Sequence, residues 1–178
     1  NGTETYSIHG SAGSEVIFGG YQADTITAGD GNDFIFGGDG ADNINAGAGD
    51  DVIYTSLAGL TEDTAVSGGS GSNTLAFNKP GEAGGWDNES YNSVSFNLST
   101  DLGNASNFQN IVGSNYDDNL TGDNSTNVII GGSGSDILTG SGGNDELYGD
   151  YHTSDTSGTK YGYRQYGVSE GNDQLFGG

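Results

Sequence analysis

The sequence has no cysteine, no methionine, one proline, one tryptophan and only three lysines and arginines. Without cysteine, disulfides and thiolate-held metals are excluded. So few cations cannot neutralise a phosphate backbone, which excludes nucleic acid as a direct partner. An anionic membrane surface is excluded for the same reason. No apolar run reaches the ~18 residues of a membrane span, so no membrane insertion is expected. The N-terminus lacks the basic start and apolar stretch of a signal peptide. Hydrophobic residues make up 31% of the chain, so no large conventional core is expected.

What is present is glycine, 35 of 178 residues, and acid, 25 aspartates and glutamates for a net charge of -22. That composition alone would suit a disordered acidic chain. The placement of the few apolar residues argues otherwise. Gly10–Phe18, Gly19–Thr27, Ala28–Phe36, Gly37–Asn45 and Ala46–Tyr54 are five consecutive nonapeptides. Their eighth positions are Ile17, Ile26, Ile35, Ile44 and Ile53, and their sixth are Glu15, Asp24, Asp33, Asp42 and Asp51. Fixed-period self-similarity of this kind marks a repeat architecture.

A second block keeps the period, with Gly113, Gly122, Gly131, Gly140 and Gly149 nine apart. Its apolar column is Ile111, Leu120, Ile129, Leu138 and Leu147, and its sixth positions are Asp118, Asn127, Asp136 and Asp145. The pattern stops after Asp150 and resumes in phase at Asp173 and Leu175, which marks Tyr151–Ser169 as an insertion into one repeat loop. The reading is therefore of three parts: residues 1–54, a first repeat block; 55–110, an intervening segment; and 111–178, a second block with the insertion at 151–169. The intervening segment holds one weak repeat, Gly68–Ala76, and a strand-like alternation of Val94, Phe96 and Leu98. The chain stops at Gly177-Gly178, the first two positions of another unit, and is expected to be cut from a longer array.

One apolar position in nine cannot make an amphipathic helix. A short strand centred on that position, followed by a glycine-rich turn, fits. Two nonapeptides then form one 18-residue coil, and stacked coils pair their strands in parallel as a solenoid. The expected class is all-β: a parallel β-roll, or β-solenoid, of stacked 18-residue coils with inserted loops. Its interior is thin, because an Ile contributes about 1.5–3 kcal/mol while ordering nine residues costs about 9–18 kcal/mol. Stacking also sets Glu15, Asp33 and Asp51 above one another on one edge, and Asp24 and Asp42 on the other. A hard cation with oxygen ligands answers both deficits, and flexible carboxylate-plus-carbonyl sites suit Ca²⁺ better than Mg²⁺.

The pattern is clearest in Gly37-Gly38-Asp39-Gly40-Ala41-Asp42-Asn43-Ile44-Asn45 and in Gly131-Gly132-Ser133-Gly134-Ser135-Asp136-Ile137-Leu138-Thr139. It resembles the nonapeptide of the repeats-in-toxin (RTX) family of secreted bacterial proteins. The resemblance implies several Ca²⁺ ions in the turns, held by position-six carboxylates and turn carbonyls. The carboxylates are then Asp24, Asp33, Asp42, Asp51, Asp118, Asp136, Asp145 and Asp173, with Glu15 and Asn127 as departures. The turn glycines are Gly29, Gly31, Gly38, Gly40, Gly47, Gly49, Gly132 and Gly134. Loops with Glu15, Asn73 or Asn127 at position six, or with Gln22, Tyr116 or Ser125 at position four, are expected to bind weakly or not at all. The resemblance further implies type I secretion, an extracellular or cell-surface location and flanking domains of a larger protein.

No catalytic constellation emerges, and the expectation is that the chain is not an enzyme. His9 and His152 have no second ligand at metal spacing. No Gly-x-Ser-x-Gly elbow sits between a strand and a helix, and Asp30-Gly31-Asn32-Asp33 lacks the 12-residue spacing of an EF-hand. The Thr25-Ile26-Thr27 face invites comparison with ice-binding solenoids, but Asn43 and Asn45 interrupt the Thr ladder. The opposite face carries Val16, Phe18, Phe34, Phe36, Val52 and Tyr54, and Phe18, Phe36 and Tyr54 are expected to lie beneath the 55–110 segment, with Trp86 and Phe96 as candidate covers. In the insertion, Tyr161, Tyr163, Arg164 and Tyr166 either pack on the solenoid edge or form a recognition loop. The functional expectation is a calcium-binding structural module that folds on Ca²⁺ after secretion. The alternatives are a ligand-recognition module of a large adhesin, or the accessory repeat region of a secreted protease, lipase or alginate epimerase.

Overall fold

A computed structural model of the chain describes residues 4–77, 92–150 and 172–177. In chain order its strands are β1 (Ser7–His9), β2 (Val16–Gly20), β3 (Thr25–Asp30), β4 (Phe34–Gly38), β5 (Asn43–Ala48) and β6 (Val52–Tyr54). Helix α1 (Leu57–Glu62) follows, then β7 (Ala65–Ser67), β8 (Thr74–Ala76), β9 (Ser95–Asn97), β10 (Ala105–Ser106) and β11 (Asn110–Val112). The last are β12 (Asn119–Thr121), β13 (Val128–Gly132), β14 (Ile137–Thr139), β15 (Glu146–Asp150) and β16 (Gln174–Phe176). The chain forms two compact units, one of residues up to Leu75 with Leu102–Phe108, the other of Ala76–Asp101 with Gln109 onward.

In the first unit one sheet runs β1-β3-β5-β7-β10. Its strands are parallel, with Ile8 beside Ile26, Ile26 beside Ile44, Ile44 beside Val66 and Val66 beside Ala105. The facing sheet has β2, β4 and β6 in register through Ile17, Ile35 and Ile53, with β8 next to β6. In the second unit β9-β12-β14-β16 align Phe96, Leu120, Leu138 and Leu175, and β11-β13-β15 align Ile111, Ile129 and Leu147. The chain is thus an all-parallel β-solenoid with about 18 residues between stacked strands. A one-residue slip would turn every position-eight side chain outward, so the column itself sets the register. Ile26, Ile35, Ile44, Ile53, Val66, Leu75, Ile111, Leu120, Ile129 and Leu138 are all buried.

The middle of the chain builds solenoid as well. Val94, Phe96 and Leu98 are buried, and β9 pairs with β12. On the outer face Phe18, Phe36 and Tyr54 stack nearly parallel, with ring centroids 4.7 Å and 4.3 Å apart. Phe36 and Tyr54 are buried as expected, but Phe18 is 60% exposed. The reason is its strand: β2 is the last in its sheet, so Phe18 has an aromatic neighbour on one side only. Phe96 is not their cover; it is an interior residue of the second unit and packs at 5.0 Å on Phe77. Trp86 lies outside the described residues.

Candidate metal centre

Each nonapeptide turn brings its sixth residue to the coil edge just before the next strand starts. The short aspartate side chain then reaches along the stack. Its Oδ1 accepts the main-chain N–H of the sixth residue one coil upstream. Asp24 accepts from Tyr6 at 2.6 Å, Asp33 from Glu15 at 2.8 Å, Asp42 from Asp24 at 2.8 Å and Asp51 from Asp33 at 2.9 Å. In the second unit Asp118 accepts from Val94, Asp136 from Asp118, Asp145 from Asn127 and Asp173 from Asp136. The carboxylate column is thus also a hydrogen-bond ladder.

The second oxygen behaves differently. The Oδ2 atoms of Asp24, Asp33, Asp42, Asp51, Asp136 and Asp145 are sealed from solvent and meet no donor. Beside them are other oxygens. A Cβ added to Gly19 would lie 2.8 Å from Asp24 Oδ2 and would collide with Gly37 O; one on Gly131 would collide with Asp136 Oδ2 and lie 2.6 Å from Gly149 O. Carboxylate and next-coil carbonyl therefore converge where only a glycine leaves room. Burying a carboxylate among acceptors is costly unless a positive charge joins them. Burial pushes the Asp42 carboxyl up to about 7, with the negative Asp63, Asp24 and Asp39 acting in the same direction. It also pushes Asp136 up to about 7 and Asp51 up to about 6, and raises Asp33 and Asp118. Bare buried oxygens and adjacent carbonyls, with no lysine or arginine among the described residues, fit Ca²⁺, which takes carboxylate and carbonyl ligands in flexible geometry.

The turn glycines have the backbone that such a turn requires. Gly29, Gly31, Gly38, Gly40, Gly47, Gly49, Gly132 and Gly134 all have φ between 101° and 137°. At Gly38 a side chain is doubly excluded, because its Cβ would also strike Gly20 O of the coil below.

The departures from the repeat differ in a consistent way: each has an internal partner. Glu15 is half-buried and accepts from the Ser11 hydroxyl and N–H, which hold its carboxyl below its ordinary value. Asn127 donates through Nδ2 to Gln109 O at 2.7 Å and to Asp123 Oδ1 at 3.1 Å. Asn73 donates to Asn107 O at 3.1 Å. Asp118, although in phase, accepts from both the N–H and the hydroxyl of Ser114. Among the described residues no three His, Cys, Asp or Glu side chains gather at one point, so an ion here must draw on main-chain carbonyls. His9 is exposed beside Ser7. Tyr161, Tyr163, Arg164, Tyr166 and His152 lie outside the described residues.

Two features were not apparent from the repeat. Asp63 enters the column: its Oδ1 accepts the Asp42 N–H at 3.0 Å, across 21 residues instead of 18. A second ladder runs the opposite way through position five. Ser14 Oγ accepts from the Asn32 N–H, Asn32 Oδ1 from Asp50 and Asp50 Oδ1 from Ser72. Asp117 likewise accepts from Ser135 in the second unit. The available signal was position five itself, which is Ser, Asn or Asp on this edge but Ala23 and Ala41 on the other.

Among the described residues no helix is long and apolar enough to cross a membrane. No curated protein matches the chain. The model of the RTX calcium-binding nonapeptide repeat matches four times, at residues 9–44, 36–57, 109–138 and 121–150. Together these matches cover just over half of the 178 residues, in the segments that build the carboxylate columns. The chain belongs to the RTX calcium-binding nonapeptide repeat family.

Proposed function

We propose that this chain is a calcium-binding structural module that folds when Ca²⁺ binds after secretion, as part of a larger extracellular bacterial protein. The observation that carries this reading is the set of six buried aspartate Oδ2 atoms without a donor. Asp24, Asp33, Asp42, Asp51, Asp118, Asp136, Asp145 and Asp173 would hold the ions, with carbonyls of the turns at Gly29, Gly31, Gly38, Gly40, Gly47, Gly49, Gly132 and Gly134. Bound Ca²⁺ supplies the positive charge that these oxygens lack. The chain's own part is to place the oxygens: Oδ1 fixes each carboxylate on the ladder and leaves Oδ2 turned toward the turn. Loops closed internally, at Glu15 and Asn127, bind weakly or stay empty.

Without the ion, a charge of -22 favours an extended chain, which suits passage through a narrow export channel. For sites with Kd near ~10⁻⁴ M, millimolar Ca²⁺ stabilises the fold by about 1.4 kcal/mol per site. Five such sites give about 7 kcal/mol, the scale of a domain's whole net stability. Far-UV circular dichroism tests the reading. A chelator should abolish the β-signal, Ca²⁺ should restore it, and Mg²⁺ should do so poorly. Full β-structure in excess chelator would overturn it.

A further inference from the structure

The coil after Asp42 has no glycine-rich turn on that edge; helix α1 stands in its place, started by Ser56, whose Oγ accepts the Gly59 N–H. The loss has a local consequence. The Gly19, Gly113 and Gly131 positions each face a carboxylate oxygen together with a carbonyl of the following coil. At Gly37 an added Cβ would meet Asp42 Oδ2 at 2.6 Å and Ile44 Cδ1 at 2.9 Å, with no main-chain oxygen within 3.5 Å. The site at Asp42 is therefore one carbonyl poorer than those at Asp24, Asp118 and Asp136. Asp42 is 1% exposed, and its Oδ2 has no partner.

The chain then makes a specific adjustment. Val66 returns to the apolar column beside Ile44, 22 residues on, whereas Asp63 meets Asp42 after only 21. One extra residue separates the carboxylate from the column, and Thr64 absorbs it by donating both its N–H and its hydroxyl to Asp42 O. Asn104 Nδ2 donates to Asp63 O at 2.8 Å and helps to hold the corner. Asp63 itself is 5% exposed. A buried carboxylate, out of phase with the repeat and outside the residues matched by the family model, has been set on the ladder at the main-chain N–H of Asp42, the residue whose Oδ2 is bare.

We infer that Asp63, delivered by the α1 insertion, is a calcium ligand that completes the site at Asp42 where the glycine turn is missing. This rests on the calcium-binding reading above. The local negative charge of the two buried carboxylates takes the place of the absent carbonyl dipole, so the site stays selective for a divalent cation.

Asp63→Asn tests it, because the amide keeps Oδ1 as acceptor for the Asp42 N–H and removes only the charge. Calcium stoichiometry is measured by isothermal titration calorimetry on the full chain, with Asp39→Asn as control and far-UV circular dichroism at saturating Ca²⁺ as the folding check. The expected result is a folded variant that binds one calcium ion fewer than the control. Unchanged stoichiometry and affinity in Asp63→Asn would overturn the inference while leaving the calcium reading intact. A parent chain that binds no calcium would overturn both. If Asp63→Asn does not fold at saturating Ca²⁺, Asp63→Glu decides: restored folding supports a ligand role for the charge, and failure of both variants assigns Asp63 a purely structural one.

Discussion

Asp51 accepts the Asp33 main-chain N–H at 2.9 Å through Oδ1, while its Oδ2, closed off from solvent, meets no donor. One side chain thus does two jobs. One oxygen fastens a coil to its neighbour, and the other is buried without a donor. The ladder hydrogen bonds hold the stack together, while burial of a carboxylate oxygen without a donor opposes it.

Removing a column carboxylate should matter more than removing a neighbouring one. Asp42→Ala deletes both the acceptor of the Asp24 N–H and a buried oxygen that has no donor. Asp39 stands at position three, outside the column, and donates its main-chain N–H to Gly20 O. The calcium concentration for half-folding should rise clearly in Asp42→Ala, by the equivalent of about 1–3 kcal/mol, and little in Asp39→Ala. Circular dichroism titration checks it; equal shifts would contradict the assignment of the column.

Protons should partly substitute for calcium. Burial holds the carboxyls of Asp42 and Asp136 at about 7 and of Asp51 at about 6 in the folded chain, against 3.8 as the ordinary value. A folded-state value above the unfolded one means that the folded form binds protons more tightly. Metal-free stability is therefore greatest below the ordinary value and is lost as pH rises through 6 to 7. In chelator, β-signal should increase from neutral pH toward pH ~5. A metal-free fold that strengthens as pH rises would refute this.

Asn127 closes its loop with its own amide, donating to Gln109 O and Asp123 Oδ1. Asn127→Asp replaces that donor by an anion facing Asp123. Metal-free stability should fall by about 1–3 kcal/mol, and the gap between calcium-loaded and metal-free protein should widen. Thermal melts with and without Ca²⁺ measure the gap, and an unchanged gap would show that the amide is not the substitute for an ion.

The aromatic ladder should be unequal in energy. Phe36, 9% exposed between Phe18 and Tyr54, should cost about 3 kcal/mol when changed to alanine. Phe18, 60% exposed at the sheet end, should cost below about 1 kcal/mol. Chemical denaturation at fixed Ca²⁺ separates them.

Much of this was legible in the residues. The nine-residue period, the Ile and Leu column and the Asp column follow from local rules: side chains alternate across a strand, and a tight turn needs glycine. Those rules act within a few residues, so sequence alone determines the 18-residue coil, the parallel register and the edge on which each carboxylate lies. It does not reveal Asp63, because α1 breaks the spacing on which the count depends, nor that Phe18 is left open while Phe36 is not.

Which side chains of the column meet a partner from another part of the chain was decided only by the tertiary structure. Asp118 and Asp136 differ for a local reason: Ser114, four residues before Asp118, donates to it, whereas Gly132 stands at that position before Asp136. Asn73 is closed by Asn107, and Asp63 is brought to Asp42, through contacts spanning 34 and 21 residues. A periodic sequence repeats its local geometry but not its long-range partners. Where the partner comes from another coil or from beyond an insertion, it depends on what the fold brings together, and that is a property of the stack and not of the nonapeptide.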